Sequence, residues 1–150
     1  MRIFNSPAEL ETVIGQKLGP SDWVTVSQEM IDRFADATGD RQWIHVDVER
    51  AKREAPGGTT IAHGYLTMSL IGVLQPQIYS VKAARTLNYG MNKLRFLNAV
   101  PSGARIRLSE VVKSLEPASG GLRATTEITI EIEGQERPAL VAEIMFLYFA

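Results

Sequence analysis

The sequence contains no cysteine and only two histidines, His45 and His63. Without cysteine there can be no disulfide framework, no thiolate nucleophile and no thiolate metal site. Two imidazoles leave little material for a histidine-based metal cluster. The residues that are missing therefore exclude thiol chemistry, and we predict that the protein holds no metal.

The sequence also lacks an excess of charge of either sign and any long apolar run. The 16 Lys and Arg residues nearly balance the 17 Asp and Glu residues, for a formal net charge of −1. Neither nucleic acid nor an anionic membrane is thus an expected partner. No apolar run approaches the ~20 residues that span a bilayer. The N-terminal segment lacks the cationic and apolar regions of a secretory signal, so we expect a cytoplasmic protein.

Length and composition predict a single globular domain. A chain of 150 residues is long enough to bury a real core, and 45% hydrophobic with 22% charged residues is typical of soluble domains. We find no internal repeat, low-complexity segment or linker, and therefore treat residues 1–150 as one domain.

The first half of the chain carries helix signals. Ser6–Glu9 has the pattern of a capping box with proline in the first turn, and predicts a helix that ends before Gly15. A second helix is predicted between a cap at Ser27 and the terminating Gly39. Asp40 therefore leaves a helix and enters a loop. Two shorter elements are predicted nearby, a strand at Trp23–Val26 and a helix at Val48–Arg53 capped by Asp47.

Residues 61–75, IAHGYLTMSLIGVLQ, are apolar nearly all round. A helix of this kind must be buried on most of its faces. Gly64 and Gly72 each cost about 1 kcal/mol of helix propensity relative to alanine. Their expected compensation is a close approach of the backbone to a packed sheet or a ligand.

The second half alternates between apolar and polar residues, which is typical of an antiparallel sheet with one solvated face. Helices first and long strands last indicate an α+β fold, in which an antiparallel sheet wraps around one long buried central helix. That shape is the hot-dog architecture. The predicted strands are Leu87–Phe96 with an interruption at Gly90, Ala104–Val112, Leu122–Ile132 and Leu140–Phe149.

Asp40, His45 and Gly64 form the candidate site. The start of a buried helix offers free backbone N–H groups, so the N–H of Gly64 can donate to a carbonyl or a developing oxyanion. An aspartate and a histidine converging there would supply the acid and the base for adding or removing water. The spacing alone is weak, because a loop acid and a packed imidazole fit Asp40 and His45 as well.

Three stretches of the sequence resemble the MaoC-like dehydratases, the family of (R)-specific enoyl-CoA hydratases, and most of all its NodN-like branch. They are "FADATGDRQWIHVD", "TIAHGYLTMSL" and "LNYGMNKLRFLNAVPSGARIR". The resemblance implies a hot-dog fold, a homodimer, and action on 2-enoyl-CoA thioesters without metal or redox cofactor. It places the catalytic aspartate on Asp40, the catalytic histidine on His45, and the glycine whose N–H polarises the thioester carbonyl on Gly64.

The chain departs from the family pattern in two places. Gln42 and Trp43 stand where many members have asparagine and proline, and Gly72 stands where the family has a serine that supports the aspartate. Another group must then orient Asp40. The carboxamides of Gln42 and Asn88 are the candidates, because either can donate to a carboxylate.

Four further residues are predicted to bind substrate. Asn88, Tyr89 and Gly90 interrupt a strand, which indicates a bulge or a close ligand approach, although a simple bend explains them as well. Tyr65 either lines the acyl pocket or only packs. His63 is interpreted as structural, capping or bonding near the start of the helix.

Three functions remain open from the sequence. The first is reversible hydration of a trans-2-enoyl-CoA to the (3R)-3-hydroxyacyl-CoA, with no cofactor. The second is an acyl-CoA thioesterase, against which stands the absence of Asp and Glu from residues 61–75. The third is a non-catalytic acyl-thioester-binding subunit, against which stands the intact Asp40–His45 pair.

Overall fold

The computed structural model describes residues 1–150, with helices and short strands first and long strands last. No helix is both long and apolar enough to cross a bilayer. In chain order the elements are β1 (Arg2–Phe4), a 3-10 helix (Pro7–Val13), β2 (Lys17–Leu18), β3 (Val24–Thr25), α1 (Gln28–Thr38), α2 (Trp43–Val46), α3 (Val48–Glu54), α4 (Gly64–Ser69), α5 (Ile71–Leu74), a second 3-10 helix (Gln75–Gln77), β4 (Tyr79–Val81), β5 (Arg85–Phe96), β6 (Arg105–Ala118), β7 (Gly121–Ile132) and β8 (Leu140–Phe149).

The main sheet is antiparallel throughout, in the order β2-β6-β7-β8-β5, with β3 also paired to β6. A separate parallel pair joins β1 to β4. The alternation predicted for the long strands is confirmed most clearly in β7. Its buried side chains are every second residue, namely Ala124, Thr126, Ile128, Ile130 and Ile132.

The sheet packs against α4 and α5, and this arrangement is the predicted α+β hot-dog fold. Leu66, Ile71 and Leu74 of the helical segment belong to the same core cluster as Ile128 of β7 and Ile144 of β8. Burial of these apolar side chains is the main favourable contribution to the fold, at about 1.5–3 kcal/mol for each large residue.

The central helix is shorter and more exposed than predicted. It is interrupted at Leu70, between α4 and α5, although the Leu70 N–H still bonds to Leu66 O at 3.0 Å. Tyr65 and Val73 are 66% and 47% exposed. The sheet of one chain covers one side of the helix, and apolar residues on the other side remain at the surface. Hydrophobicity alone did not show which side that is.

The predicted caps of α1 and α3 are confirmed. The Ser27 hydroxyl accepts from Met30 N–H at 3.2 Å, and the Asp47 carboxylate accepts from Arg50 N–H at 3.0 Å. Gly39 ends α1 in the left-handed region with φ 81°, a conformation that glycine adopts without steric cost. The direction in which the chain leaves α1 toward Asp40 is therefore encoded locally.

The prediction of a capping box at the first helix is wrong in detail. Pro7–Val13 forms a 3-10 helix, and the Ser6 side chain makes no capping hydrogen bond. The Glu9 carboxylate instead accepts from the backbone N–H of Asn5 at 2.8 Å. In a capping box the Glu9 carboxylate would accept from the N–H of Ser6, which is one residue later in the chain.

Candidate active site

His45 lies on the one-turn helix α2 and is 7% exposed. Its Nδ1 lies 2.6 Å from the backbone carbonyl oxygen of Ile61. A carbonyl oxygen only accepts, so Nδ1 carries the proton and Nε2 of the neutral ring keeps a lone pair. The hydrogen bond to Ile61 thus fixes the tautomer in which Nε2 can act as a base.

Three further hydrogen bonds connect α1, α2 and the loop before α4. The Gln28 side chain of α1 donates from Nε2 to His45 O at 2.7 Å, and its Oε1 accepts from the Thr60 hydroxyl at 2.5 Å. The Ile61 N–H donates to Ile44 O at 3.0 Å. The loop before α4 and the helix that carries His45 are therefore joined at several points.

Asp40 follows Gly39 and is exposed in the single chain. The structure brings it together with both histidines. One ligand-type atom each from Asp40, His45 and His63 lie within 4.8 Å of one another. We call these three residues the histidine cluster. The proximity predicted for Asp40 and His45 is present.

The prediction that a carboxamide orients Asp40 is wrong. The donor to its carboxylate is the backbone N–H of Gln42, at 3.4 Å, and neither the Gln42 side chain nor Asn88 bonds to it. Aspartate commonly accepts from the backbone two residues ahead in this way. Asn88 is absent from the cluster because it lines a different cavity.

Gly64 is the first residue of α4, and its N–H donates to no acceptor within the chain. It lines a cavity of about 330 Å³ together with His45, Thr67 and Phe96. The Phe96 ring packs directly on Gly64, since a Cβ built there would lie 3.0 Å from the ring. A free backbone donor and the Nε2-bearing histidine thus share one cavity.

A second cavity, of about 620 Å³, lies further along the same helix and strand. Asn88 and Gly90 line this cavity and not the one that holds His45 and Gly64. The register shift between Asn88 and Gly90 confirms the predicted bulge, with Tyr89 as the extra residue. Other residues that line it are Met68, Ile71, Gly72 and Gln75 on the helix side, and Thr86 and Met91 on β5.

The two tyrosines predicted to bind substrate lie at the surface. Tyr65 is 66% exposed and meets Phe96 edge-on, with ring centroids 6.1 Å apart. Tyr89 is 56% exposed and lies 5.7 Å beneath the guanidinium of Arg123. Neither lines the cavity beside His45 or the second cavity, so their role in binding stays a prediction.

The donor types of the histidine cluster are those of a transition-metal site, but its geometry is not. The rings of His45 and His63 stack with centroids 3.8 Å apart and an interplanar angle of 23°. Nearly parallel rings direct their in-plane lone pairs side by side and do not aim them at one point. A tetrahedral ion needs converging lone pairs, so the arrangement does not fit a single metal.

Sequence reasoning missed Gln28 and Thr60. Gln28 is separated from His45 by 17 positions and from Thr60 by 32. No local pattern marks either as part of the site, because their role depends on tertiary contacts alone. His63 is predicted to be structural, near the start of the helix. In the structure it also contacts both Asp40 and His45.

A second buried polar cluster lies at the other end of the helical segment. Gln75 Nε2 donates to Glu110 Oε2 at 2.9 Å and to the Tyr79 hydroxyl at 3.0 Å. The Thr126 hydroxyl donates to the same carboxylate oxygen at 3.2 Å. We call Gln75, Tyr79, Glu110 and Thr126 the glutamate cluster.

Burial raises the pKa of the Glu110 carboxyl above its usual range. The pKa of Tyr79 is also raised, first by burial and then by the nearby Glu110 charge. Burial raises the pKa of Tyr148 to about 12. Glu110 is only 1% exposed and lines neither of the two cavities along the helix, whereas Gln75 of the same cluster lines the second cavity.

Comparisons with known proteins agree with this fold. The MaoC-like domain family matches residues 9–132. The 3-hydroxyacyl-thioester dehydratase Z of Mycobacterium tuberculosis is 49% identical over 152 residues, covering 100% of both chains. Nodulation protein N of Rhizobium leguminosarum bv. viciae is 45% identical over 142 residues, covering 91% of this chain and 87% of that protein.

A solved structure with the same fold is the monoamine oxidase regulatory protein from Archaeoglobus. It has a TM-score of 0.76 and 26% identity, and the match covers 98% of this chain and 95% of that one. The fold, the site and the relatives define a hot-dog protein of the dehydratase and hydratase class. The chain belongs to the MaoC-like dehydratase family. The dehydratase named among its relatives supports a hydro-lyase activity.

Proposed function

We propose that the protein is an (R)-specific enoyl-CoA hydratase, which interconverts a trans-2-enoyl-CoA and the (3R)-3-hydroxyacyl-CoA. The observation that carries this proposal is the convergence of Asp40 and His45 next to a cavity lined by His45 and by Gly64, whose N–H donates to no acceptor within the chain. A relative covering the whole chain is named as a 3-hydroxyacyl-thioester dehydratase, which is the reverse direction of the same reaction.

The thioester carbonyl accepts a hydrogen bond from the Gly64 N–H, which stabilises the enolate-like charge that develops on oxygen. Asp40 and His45 together hold one water molecule. One of them removes a proton as the water oxygen bonds to the β-carbon, and the other delivers a proton to the α-carbon on the same face. The C=C π bond is consumed, and no metal or redox cofactor takes part. The two groups act as one coupled acid–base unit.

The acyl chain is proposed to run from the first cavity into the second. Both cavities are bounded by the same helix and by the same strand β5, with Gly64 and Phe96 at one end and Gly72 and Asn88 at the other. Asn88 and Gly90 would then contact the acyl chain. Tyr65 lies beside the Phe96 ring and is proposed to contact the substrate nearer the thioester.

A homodimer is proposed through β5. This strand of 12 residues is the edge of the main sheet and is paired on one side only, to β8. A long edge strand with apolar side chains invites pairing with another chain. Exposed large apolar residues gather here and on the adjacent helix, namely Leu87, Tyr89, Met91, Phe96, Tyr65 and Val73.

Light scattering after size exclusion tests the dimer. Met91→Asp on β5 is expected to give monomers, because it buries a carboxylate in the interface. Val48→Asp on α3 is the matched control, since Met91 and Val48 are 38% and 40% exposed. If both variants keep the mass of the parent protein, β5 is not the interface.

The activity itself is tested with crotonyl-CoA and purified protein. Loss of the conjugated enoyl absorbance, with (3R)-3-hydroxybutyryl-CoA as the product, is the expected result. Release of free CoA from a saturated acyl-CoA would indicate a thioesterase instead. Neither reaction, with retained binding of the thioester, would indicate a non-catalytic binding subunit.

A further inference from the structure

His63 precedes Gly64 and is 3% exposed. Its ring lies against the rings of two residues from different elements. Phe34 of α1 packs at a centroid distance of 4.8 Å, and His45 of α2 stacks at 3.8 Å. The His63 ring therefore connects the surface of α1 to the imidazole proposed to move protons.

The two ring nitrogens of His63 differ in their hydrogen bonding. Nε2 lies 2.9 Å from the backbone carbonyl oxygen of Asp40, whereas Nδ1 is buried without a hydrogen-bond partner. Because the carbonyl accepts, Nε2 carries the proton. A proton on Nδ1 would be a buried donor without an acceptor, which is costly. His63 is thus held as the Nε2–H tautomer, opposite to the Nδ1–H tautomer of His45.

The other hydrogen bonds of the loop that carries Asp40 are long or lie at the surface. Arg41 N–H donates to Gly39 O at 3.1 Å, and the Arg41 guanidinium pairs with the exposed Asp36 carboxylate at 3.1 Å. Asp40 N–H reaches the Thr38 hydroxyl at 3.3 Å, and Gln42 N–H reaches the Asp40 carboxylate at 3.4 Å. Both distances lie beyond the usual range for N–H···O bonds, about 2.7–3.2 Å. The 2.9 Å bond from His63 is the shortest of these contacts, and it alone ties Asp40 to a buried side chain.

We propose that His63 is a positioning residue of this site: its Nε2–H holds the Asp40 backbone while its ring sets the plane of the His45 imidazole. The proposal rests on the hydratase function proposed above. His63 keeps the carboxylate and the imidazole at the separation that water activation requires. A displacement of about 1 Å in such a pair can cost about 100-fold in rate.

A purely structural histidine would behave differently on substitution. If His63 only filled space between Phe34 and His45, phenylalanine would be a good replacement, and a loss of activity would follow the loss of stability. If the Nε2–H donor matters, glutamine should outperform asparagine. The glutamine amide nitrogen falls near the position of Nε2, whereas that of asparagine falls near Nδ1, where there is no partner.

The kinetic test compares His63→Gln, His63→Asn and His63→Phe with the parent protein, using crotonyl-CoA. We expect kcat to fall about 100-fold in His63→Asn and His63→Phe, with KM within about threefold, because positioning acts on the reacting geometry. His63→Gln should recover at least about tenfold of that loss. Melting temperatures of the three variants should not follow this order.

A second measurement does not depend on turnover. The backbone ¹⁵N order parameter of Asp40 should stay near about 0.85 in the parent and in His63→Gln, and fall below about 0.6 in His63→Asn and His63→Phe. Imidazole ¹⁵N spectra support this arm, because the chain has only two histidines and each variant leaves one ring, that of His45.

The two arms separate the possible failures. Turnover of His63→Asn and His63→Phe within about threefold of the parent, or a rigid Asp40 amide in every variant, overturns the positioning role. If the parent protein hydrates no enoyl-CoA, the proposed function is rejected, and the order parameters alone decide whether His63 holds Asp40.

Discussion

The histidine cluster and the glutamate cluster lie at the two ends of one helical segment, and both contain buried titratable side chains. At the first end, His45 lines a cavity together with Gly64, whose N–H donates to no acceptor within the chain. At the other end, the Glu110 carboxylate is 1% exposed and accepts bonds from Gln75 and Thr126. Burial raises the pKa of this carboxyl above its usual range.

The difference shows what marks a reactive site in this fold. Burial and a shifted pKa occur together in the glutamate cluster, where they accompany a network that ties β6 and β7 to the helix end. The histidine cluster has instead a lone pair on His45 Nε2 that no protein group occupies, and an acid beside it. Perturbed pKa values alone therefore do not locate the chemistry.

The largest expected effect separates the two clusters by activity. Asp40→Asn and His45→Gln should each lower kcat/KM for crotonyl-CoA by about 1000-fold, because each removes a proton-transfer group. Glu110→Gln should stay within about fivefold of the parent. Far-UV circular dichroism controls for folding. A loss in Glu110→Gln as large as in the other two would mean that the glutamate cluster takes part in the reaction.

Two glycines on the helical segment give an intermediate effect. Gly64→Ala places a Cβ 3.0 Å from the Phe96 ring, so the ring must shift beside the proposed oxyanion donor. We expect crotonyl-CoA turnover to fall about tenfold. A Cβ at Gly72 meets nothing within 4 Å, so Gly72→Ala should raise the free energy of unfolding by about 0.5–1 kcal/mol.

Steady-state kinetics and urea unfolding of both glycine variants check this pair. Equal loss of turnover in Gly72→Ala would show that the second glycine also lies at the reacting centre. Unchanged turnover in Gly64→Ala would show that its backbone N–H is not sensitive to the position of Phe96.

The smallest effect concerns the pH dependence of stability. The pKa of Glu110 is raised in the folded protein, so the folded state binds this proton more tightly than the unfolded state does. The contribution of Glu110 to stability is therefore fully present below the unfolded pKa of about 4.3, and it is lost as the pH rises through the folded pKa. Urea unfolding of the parent protein and of Glu110→Gln over this range measures it.

The difference between the two free energies of unfolding isolates Glu110, because the other carboxyls are common to both proteins. The glutamine variant should become more stable relative to the parent as the pH rises. A difference that is constant with pH would show that Glu110 titrates alike in the folded and unfolded states.

Much of the fold was predictable from local signals. Alternation placed the long strands, and Ser27, Gly39 and Asp47 marked helix ends, because each effect involves residues close in sequence. The exposed side of the central helix and the unpaired edge of β5 were not predictable. An apolar residue has the same appearance in a sequence whether it packs in its own chain or remains at the surface.

The candidate site was predictable in part. The structure places Asp40, His45 and Gly64 in one region, as expected. It places Asn88 and Gly90 on a second cavity. A sequence signal also marks the glutamate cluster. Glu110 has the same parity as Ile106 and Leu108 on β6, so an alternating strand places its carboxylate inward.

The central claim is that Asp40 and His45 form one proton-transfer unit. The most direct measurement compares kcat for crotonyl-CoA in Asp40→Asn, His45→Gln and the double variant. Residues that act as a unit give non-additive losses. The double variant is therefore expected to be no slower than the slower single variant, within about threefold. A double variant whose loss equals the product of the two single losses would contradict the account.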